Sequence, residues 1–420
     1  MIRTFSALTI AALSVALTGP SATAQSNESS SAFRTFENTN FEFQLDIGSV
    51  IAAGSNRDVD QKLLFDMQAG FEIETLTDAG RRWGVVATAR VERDSGRRAW
   101  GGRIGDCPQE QSVCASHFDG VSSRPILAPV SGLFTVGPDR SDGTRLALEA
   151  GYAYVHTGWG EFRFGYGSGA ADTDTESGPS AFRLTRADGG RVDLTGLSYA
   201  RTRNLTSGFS PKLVFRSIQL GQVSSIGVGR VSVSYTPEVR DCGVDFCARE
   251  YGPSGLLSPL SDSVWEVSAR YEVHREEHEI AISIGFSDSE DATGRSGFEG
   301  VEVQNIGISW ANGPWSAGAN WLRSNNGISW QNGYQAWSVS TGYEKGPWIT
   351  VLEYAQFQDD LVHAEGGTTQ ISASRLMGDR WILGGGLQWA DLDEPVLIGS
   401  NRVTLNRDAS SAFFELGWQF

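Results

Sequence analysis

The 420-residue chain carries 34 Lys+Arg against 50 Asp+Glu, a formal charge of −16 and a pI near 4.8. That is the wrong sign for a protein whose affinity comes from neutralising phosphates, so no nucleic-acid partner is expected. Gly is 50 residues, charged residues are 20% and mean hydropathy is −0.24, which argues against long helices, against disorder and against a polytopic helical membrane protein.

In chain order, Met1 to Ala24 comes first. Arg3, the apolar run Leu8 to Leu17, the Gly19-Pro20 break and Ala22-Thr23-Ala24 read as a secretory signal peptide (residues 1–24). The run is well short of the roughly 20 residues a membrane-crossing helix needs. Residues 25–40 then lead into a single domain over 41–420. Cysteine usage agrees with export: Cys107 and Cys114 fall in one loop, Cys242 and Cys247 in another. Local disulfides are expected, although four Cys allow three pairings and a bridge between the loops stays open. A metal site from Cys107, Cys114 and His117 matches no standard zinc spacing, and neither a metal nor a cofactor is expected.

Beyond the leader the apolar residues alternate with period two. Trp265, Val267, Ala269, Tyr271 and Val273 interleave with Glu266, Ser268, Arg270, Glu272 and His274. Such runs predict sixteen strands, near 41–52, 62–76, 83–94, 144–157, 160–166, 211–219, 227–236, 264–275, 279–288, 301–311, 315–325, 334–344, 348–358, 368–377, 381–391 and 409–420. Tight turns such as Asn312-Gly313-Pro314 and Lys345-Gly346-Pro347 alternate with longer polar loops such as 289–300, 359–367 and 392–408. Short connections at one end and long ones at the other are the layout of a transmembrane antiparallel β-barrel.

Trp315, Trp348 and Trp381 recur every 33 residues, each just after a tight turn, and Trp83 and Trp159 sit beside short turns. Together they predict one aromatic girdle at a membrane face. The residues between the apolar positions are polar: Glu42, Gln44 and Asp46; Asp66, Gln68, Glu72 and Glu74; Thr88, Arg90 and Glu92; Glu161 and Arg163; Lys212 and Arg216. They are predicted to face inward, and sixteen strands enclose an aqueous lumen where eight would be filled by side chains.

Three segments then resemble the general porins of Gram-negative bacteria. Gly158-Trp159-Gly160-Glu161-Phe162-Arg163-Phe164-Gly165 looks like the strand before that family's inward-folded third loop, and Ser210-Pro211-Lys212-Leu213-Val214-Phe215-Arg216-Ser217 like the strand after it. The final strand, with Phe414, Leu416, Trp418 and Phe420 at alternate places, is similar to the family's terminal assembly signal. The large second loop, roughly 95–143 with two Cys, departs from the family pattern.

The resemblance implies passive diffusion of small hydrophilic solutes and ions, a homotrimer, contact with outer-membrane lipid and handling by the barrel assembly machinery. It also implies that 167–210 is the constriction loop, with Asp172, Asp174, Glu176 and Asp188 near Arg183, Arg186 and Arg191, facing a wall cluster of Arg90, Arg163, Lys212 and Arg216. Opposed charges of that kind set up a transverse field. Weak cation selectivity at low salt is expected, fading as salt screens the acidic vestibules. Other readings are a substrate-selective channel, an outer-membrane adhesin or hydrolase, and a soluble secreted sugar-binding β protein. Catalysis has little to rest on: Ser116-His117 and His156-Thr157 lack a nucleophile context, and His274 with His278 sits at a predicted turn.

Overall fold

The computed structural model describes residues 39–419 apart from 56–62, 78–80, 95–97, 101–102, 108–123, 128–133, 137–143, 196, 198–199, 222–226, 245–248, 252–256, 260, 276–277, 293–298, 328–332, 361–363, 379 and 399–400. The signal peptide, Phe420, Cys114, Cys247, the Cys107 side chain and most of the second loop therefore lie outside the described residues.

Sixteen antiparallel strands close into one barrel. They are β1 Thr39–Gly54, β2 Leu63–Leu76, β3 Arg82–Arg93, β4 Arg145–Thr157, β5 Gly160–Tyr166, β6 Pro211–Ser217, β7 Val228–Glu238 and β8 Ser261–Arg275. The circuit continues with β9 His278–Asp291, β10 Glu302–Asn312, β11 Trp315–Ser324, β12 Tyr334–Lys345, β13 Trp348–Asp359, β14 Ala364–Met377, β15 Trp381–Ile398 and β16 Asn401–Gln419. Closure is by β1 on β16, with Ile47 opposite Trp418 and Ile51 opposite Phe414. A closed ladder pairs every strand edge, the condition for β-structure to sit in lipid.

One predicted connection is corrected. Residues 392–408 were expected to form a long polar loop, but the β15–β16 ladder continues from Asp391 opposite Asp408 up to Ile398 opposite Asn401. In the sequence Val396, Ile398, Val403 and Leu405 carry the two-residue period through a stretch with five charged residues among seventeen, and the hairpin extends past the apolar band instead of unravelling.

The alternation sorts the two faces as expected. Phe41, Phe43, Ile51, Ile73, Leu146, Ile284, Ile306, Leu387 and Phe414 point outward and are exposed, while Asp46, Asp66, Arg90, Glu92, Lys212 and Glu266 point inward and are buried. Trp83, Trp159, Trp315, Trp348 and Trp381 all stand outward at the short-turn end. A second aromatic level lies toward the long-loop end: Tyr235 against Trp265 at 4.7 Å, Trp337 against Tyr354 at 5.1 Å, and Trp389. In β15 the two levels, Trp381 and Trp389, are roughly 26 Å apart along the strand, which for a strand tilted about 40° is about 20 Å along the membrane normal, close to the apolar band of about 25 Å that two girdles frame.

The inner wall is not polar all round. Val50, Leu64, Val351 and Phe413 form a buried cluster with Phe182, Leu184, Val192 and Leu194, and Val303, Leu322, Tyr334 and Phe357 form another with Ala187, Leu197 and Ala200. Segment 167–210 thus supplies the inner half of a hydrophobic core whose outer half is the barrel wall. Strands apolar on both faces, such as Val50-Ile51 and Val351-Leu352, are the local mark of a wall covered on both sides.

Candidate functional site

Segment 167–210 leaves β5 at Tyr166 and returns to β6 at Pro211, its directly paired neighbour. Three glycines let its backbone approach the wall closely. A Cβ on Gly307 would come within 2.4 Å of the Glu176 carbonyl oxygen, one on Gly318 within 2.4 Å of the Gly178 Cα, and one on Gly342 within 3.2 Å of Pro179. Wall side chains then hold the segment by its main chain. Glu415 accepts from the Leu184 and Thr185 amides, both at 3.2 Å, and from the Thr185 hydroxyl at 2.8 Å. Glu353 accepts from the Ala187 amide at 2.8 Å, and Glu266 from the Ala171 amide at 3.3 Å. Asp94 accepts from the Asp193 amide at 3.0 Å. Charge-assisted bonds to backbone N–H groups fix a loop whatever side chains it carries.

Opposite the segment, across a cavity of about 500 Å³, stands the uncovered wall: Gln68, Thr88, Arg90, Glu149, Tyr152 and Arg163. From the loop the cavity is lined by Asp172, Thr173, Arg186, Arg191, Arg201 and Arg203, and Lys212 lies at its margin.

The expected site residues divide into three groups. Asp172, Arg90 and Arg163 line the cavity, as do Arg186 and Arg191. Lys212 works as a clamp at the loop's neck, its Nζ donating to the Gly167 carbonyl at 2.6 Å, the Gly208 carbonyl at 2.7 Å and the Ser207 hydroxyl at 2.9 Å. The third group turns away from the cavity. Asp174 is fully buried against β6 and β8, paired with Arg216 at 2.7 Å and accepting from Ser268 at 2.7 Å. Glu176 pairs with Arg270 at 2.5 Å and accepts from Ser309 at 2.9 Å. Asp188 accepts from the Thr202 amide at 3.0 Å and the Ser338 hydroxyl at 2.7 Å. These three carboxylates and Arg216 are therefore placed as anchors between loop and wall, not as lining of the cavity.

The positive charge is concentrated in a network. Asp66, fully buried, takes Arg90, Arg183 at 3.1 Å and Arg191 at 3.2 Å. Arg90 also meets Glu92 at 2.6 Å and Glu149 at 3.2 Å. Burial, together with the neighbouring Arg90 charge, pulls the Arg191 guanidinium below its ordinary value. The Asp172 carboxylate, gripped by Arg203 through two parallel bonds of 2.9 and 3.0 Å, pushes that guanidinium up. Arg163 pairs with Glu161 and stacks on Tyr152, 5.1 Å from its ring centre.

Sequence reasoning missed Arg203, Arg201, Asp66 as a hub, and the wall carboxylates Glu353 and Glu415. Glu353 between Val351 and Ala355, and Glu415 beside Phe413, are acids on an otherwise apolar inner row. Such an acid needs a buried partner, and that was the available signal. Cys242 is disulfide-bonded; the expected pairings otherwise lie outside the described residues. His274 stands 3.8 Å from Glu272 and 3.7 Å from Glu279, and His278 meets Asn312 at 2.9 Å.

A family model described as Gram-negative porin matches residues 7–395. No curated protein matches the sequence. Among solved structures, an anion-selective porin from Comamonas acidovorans is similar at 11% identity, covering 91% of this chain and 100% of that one, with a TM-score of 0.54. OmpT from Vibrio cholerae, described as in its trimer form, is similar at 10% identity over the same shares with a TM-score of 0.51. A porin refined at 1.8 Å resolution follows at 12% identity, 91% and 100% coverage and a TM-score of 0.50.

Proposed function

The chain belongs to the Gram-negative porin family, and from that premise we propose that segment 167–210 sets the narrowest width of its channel. The protein is an outer-membrane, multi-pass β-barrel that passes small hydrophilic solutes by passive diffusion. The observation that carries the constriction is the line of contacts from Ser234 and Glu266 through Ser283, Gly318 and Glu353 to Glu415, which seats the loop along the inner wall and leaves the cavity on the side of β2–β6. Asp172, Arg90, Arg163 and the arginines of the loop are the groups a solute meets there, and no reaction is assigned to them.

The chain assembles as a homotrimer in this reading, because symmetric closure is the common route to burying part of an apolar barrel surface. Residues 1–24 are the signal peptide. Phe414, Leu416, Trp418 and Phe420 direct insertion by the assembly machinery into lipid. The disulfides close loops at the long-loop end, and Cys242 of one of them reaches the cavity margin beside Leu205 and Phe209.

Purified protein in liposomes tests the channel reading by swelling. Swelling is expected in isotonic monosaccharide, slower in disaccharide and absent in a large dextran. Equal rates for monosaccharide and dextran, or none for any solute, would contradict it.

A further inference from the structure

Several ion pairs around the cavity share an orientation, with the guanidinium the more exposed partner, whereas Arg90 and Glu149 lie level with each other. Arg203 is 52% exposed over Asp172 at 3%, Arg191 is 26% exposed over Asp66 at 0%, and Arg163 is 22% exposed over Glu161 at 14%. Arg183 stands in the same way over Asp46 and Asp66. Arg203 pairs with Asp172 within the loop, Arg191 reaches from the loop to Asp66 of β2, and Arg163 pairs with Glu161 on the facing wall, so guanidinium lines the cavity from both loop and wall. The loop acids that would have opposed the wall arginines, Asp174, Glu176 and Asp188, are spent as anchors on the far side of the segment.

We propose that the constriction prefers anions, small carboxylates and phosphates included, because six arginines line the cavity from loop and wall against two carboxylates, Asp172 and Glu149. This rests on the channel reading above and adds its solute class. The interior acids do not cancel the effect. An anion about 4 Å from a guanidinium and about 8 Å from the carboxylate behind it keeps about half of the bare attraction, and a cation feels the reverse. Guanidinium also offers carboxylate and phosphate a planar pair of donors that a hydrated ammonium does not. Distance from the site decides how salt acts. The acidic vestibules implied by the charge of −16 work over longer range and are screened at 1 M salt, where the Debye length is about 3 Å, whereas partly buried contact-distance pairs in the constriction are screened much less. The inference thus departs from the cation preference expected from the sequence: that term belongs to the vestibules and fades, and the arginine term persists.

The test is the reversal potential of the full-length protein in a planar bilayer across a KCl gradient, at a mean of 1 M and again at 0.1 M. A chloride-over-potassium permeability ratio of about 3 is expected at 1 M, with a smaller ratio at 0.1 M. Arg203→Gln uncovers Asp172 and Arg163→Gln uncovers Glu161; each should lower the ratio about twofold, while Arg203→Lys keeps most of it. A ratio at or below one in the intact protein at 1 M, or no change in either Gln variant, would overturn the proposal. Silent bilayers would instead count against the channel reading itself.

Discussion

Removing residues 168–209 raises single-channel conductance by roughly two- to fourfold and moves ion selectivity toward cations. The geometry makes the deletion clean. Tyr166 and Pro211 are direct ladder partners, so Gly167 and Ser210 are left as a two-residue turn closing the β5–β6 hairpin. The barrel ladder is untouched, but two things inside it change. The lumen loses the segment occupying its long side, and with it Arg183, Arg186, Arg191, Arg201 and Arg203. Glu266, Glu353 and Glu415, which now bind loop amides, stand bare in water and face the permeating ions. Val50, Leu64, Val351 and Phe413 lose their cover, so the thermal midpoint should fall too. Conductance recorded on the deletion variant and the parent under one salt condition decides the matter. An unchanged value would mean that the segment is not the constriction.

Deleting Phe420, or replacing Trp418 by Ala, lowers the outer-membrane yield several-fold while export and leader cleavage proceed. The expectation comes from where the ring closes. β16 is the strand that must pair on both sides, with β15 through Trp418 opposite Trp381 and with β1 through Trp418 opposite Ile47. The Trp381 and Trp418 rings lie 6.1 Å apart on the lipid side, at the short-turn end. A closing strand that loses its outward aromatics docks less firmly, and until the ring closes β1 and β16 present unpaired edges, which invite aggregation. Quantitative blotting of the outer-membrane fraction against the processed periplasmic pool measures the effect, and a normal yield from both variants would remove the assigned role.

The barrel was legible because a strand between lipid and water writes a two-residue period into the sequence, and the 33-residue recurrence of Trp315, Trp348 and Trp381 marked one membrane face directly. The second aromatic level was harder to see. Trp265, Trp337 and Trp389 lie within strands, at spacings set by loops of unequal length, so no single repeat exposes them. The hairpin over residues 392–408 reads as a polar loop because Pro395, Gly399 and five charged residues interrupt its aliphatic period.

The candidate site was legible by sign and not by direction. Asp172 and Asp174 are two residues apart, yet one lines the cavity under Arg203 and the other is sealed against Arg216 and Ser268. In a segment that holds only the four-residue helix Ala170–Thr173 before running on irregularly, no repeating period encodes which way a side chain turns; the wall contacts decide it. Lys212 shows the same limit from the other side, since its charge suggested a lumen-facing cation and its Nζ is instead enclosed by three loop-neck acceptors.

The central claim is that this barrel is an open, water-filled passage narrowed but not sealed by its internal loop. Single-channel recording of the purified full-length protein in a planar bilayer tests it most directly. The account predicts discrete current steps, linear in voltage over the moderate range, that rise in proportion to bulk salt conductivity. Bilayers that stay electrically silent although the protein has inserted as a heat-modifiable, folded barrel would contradict it.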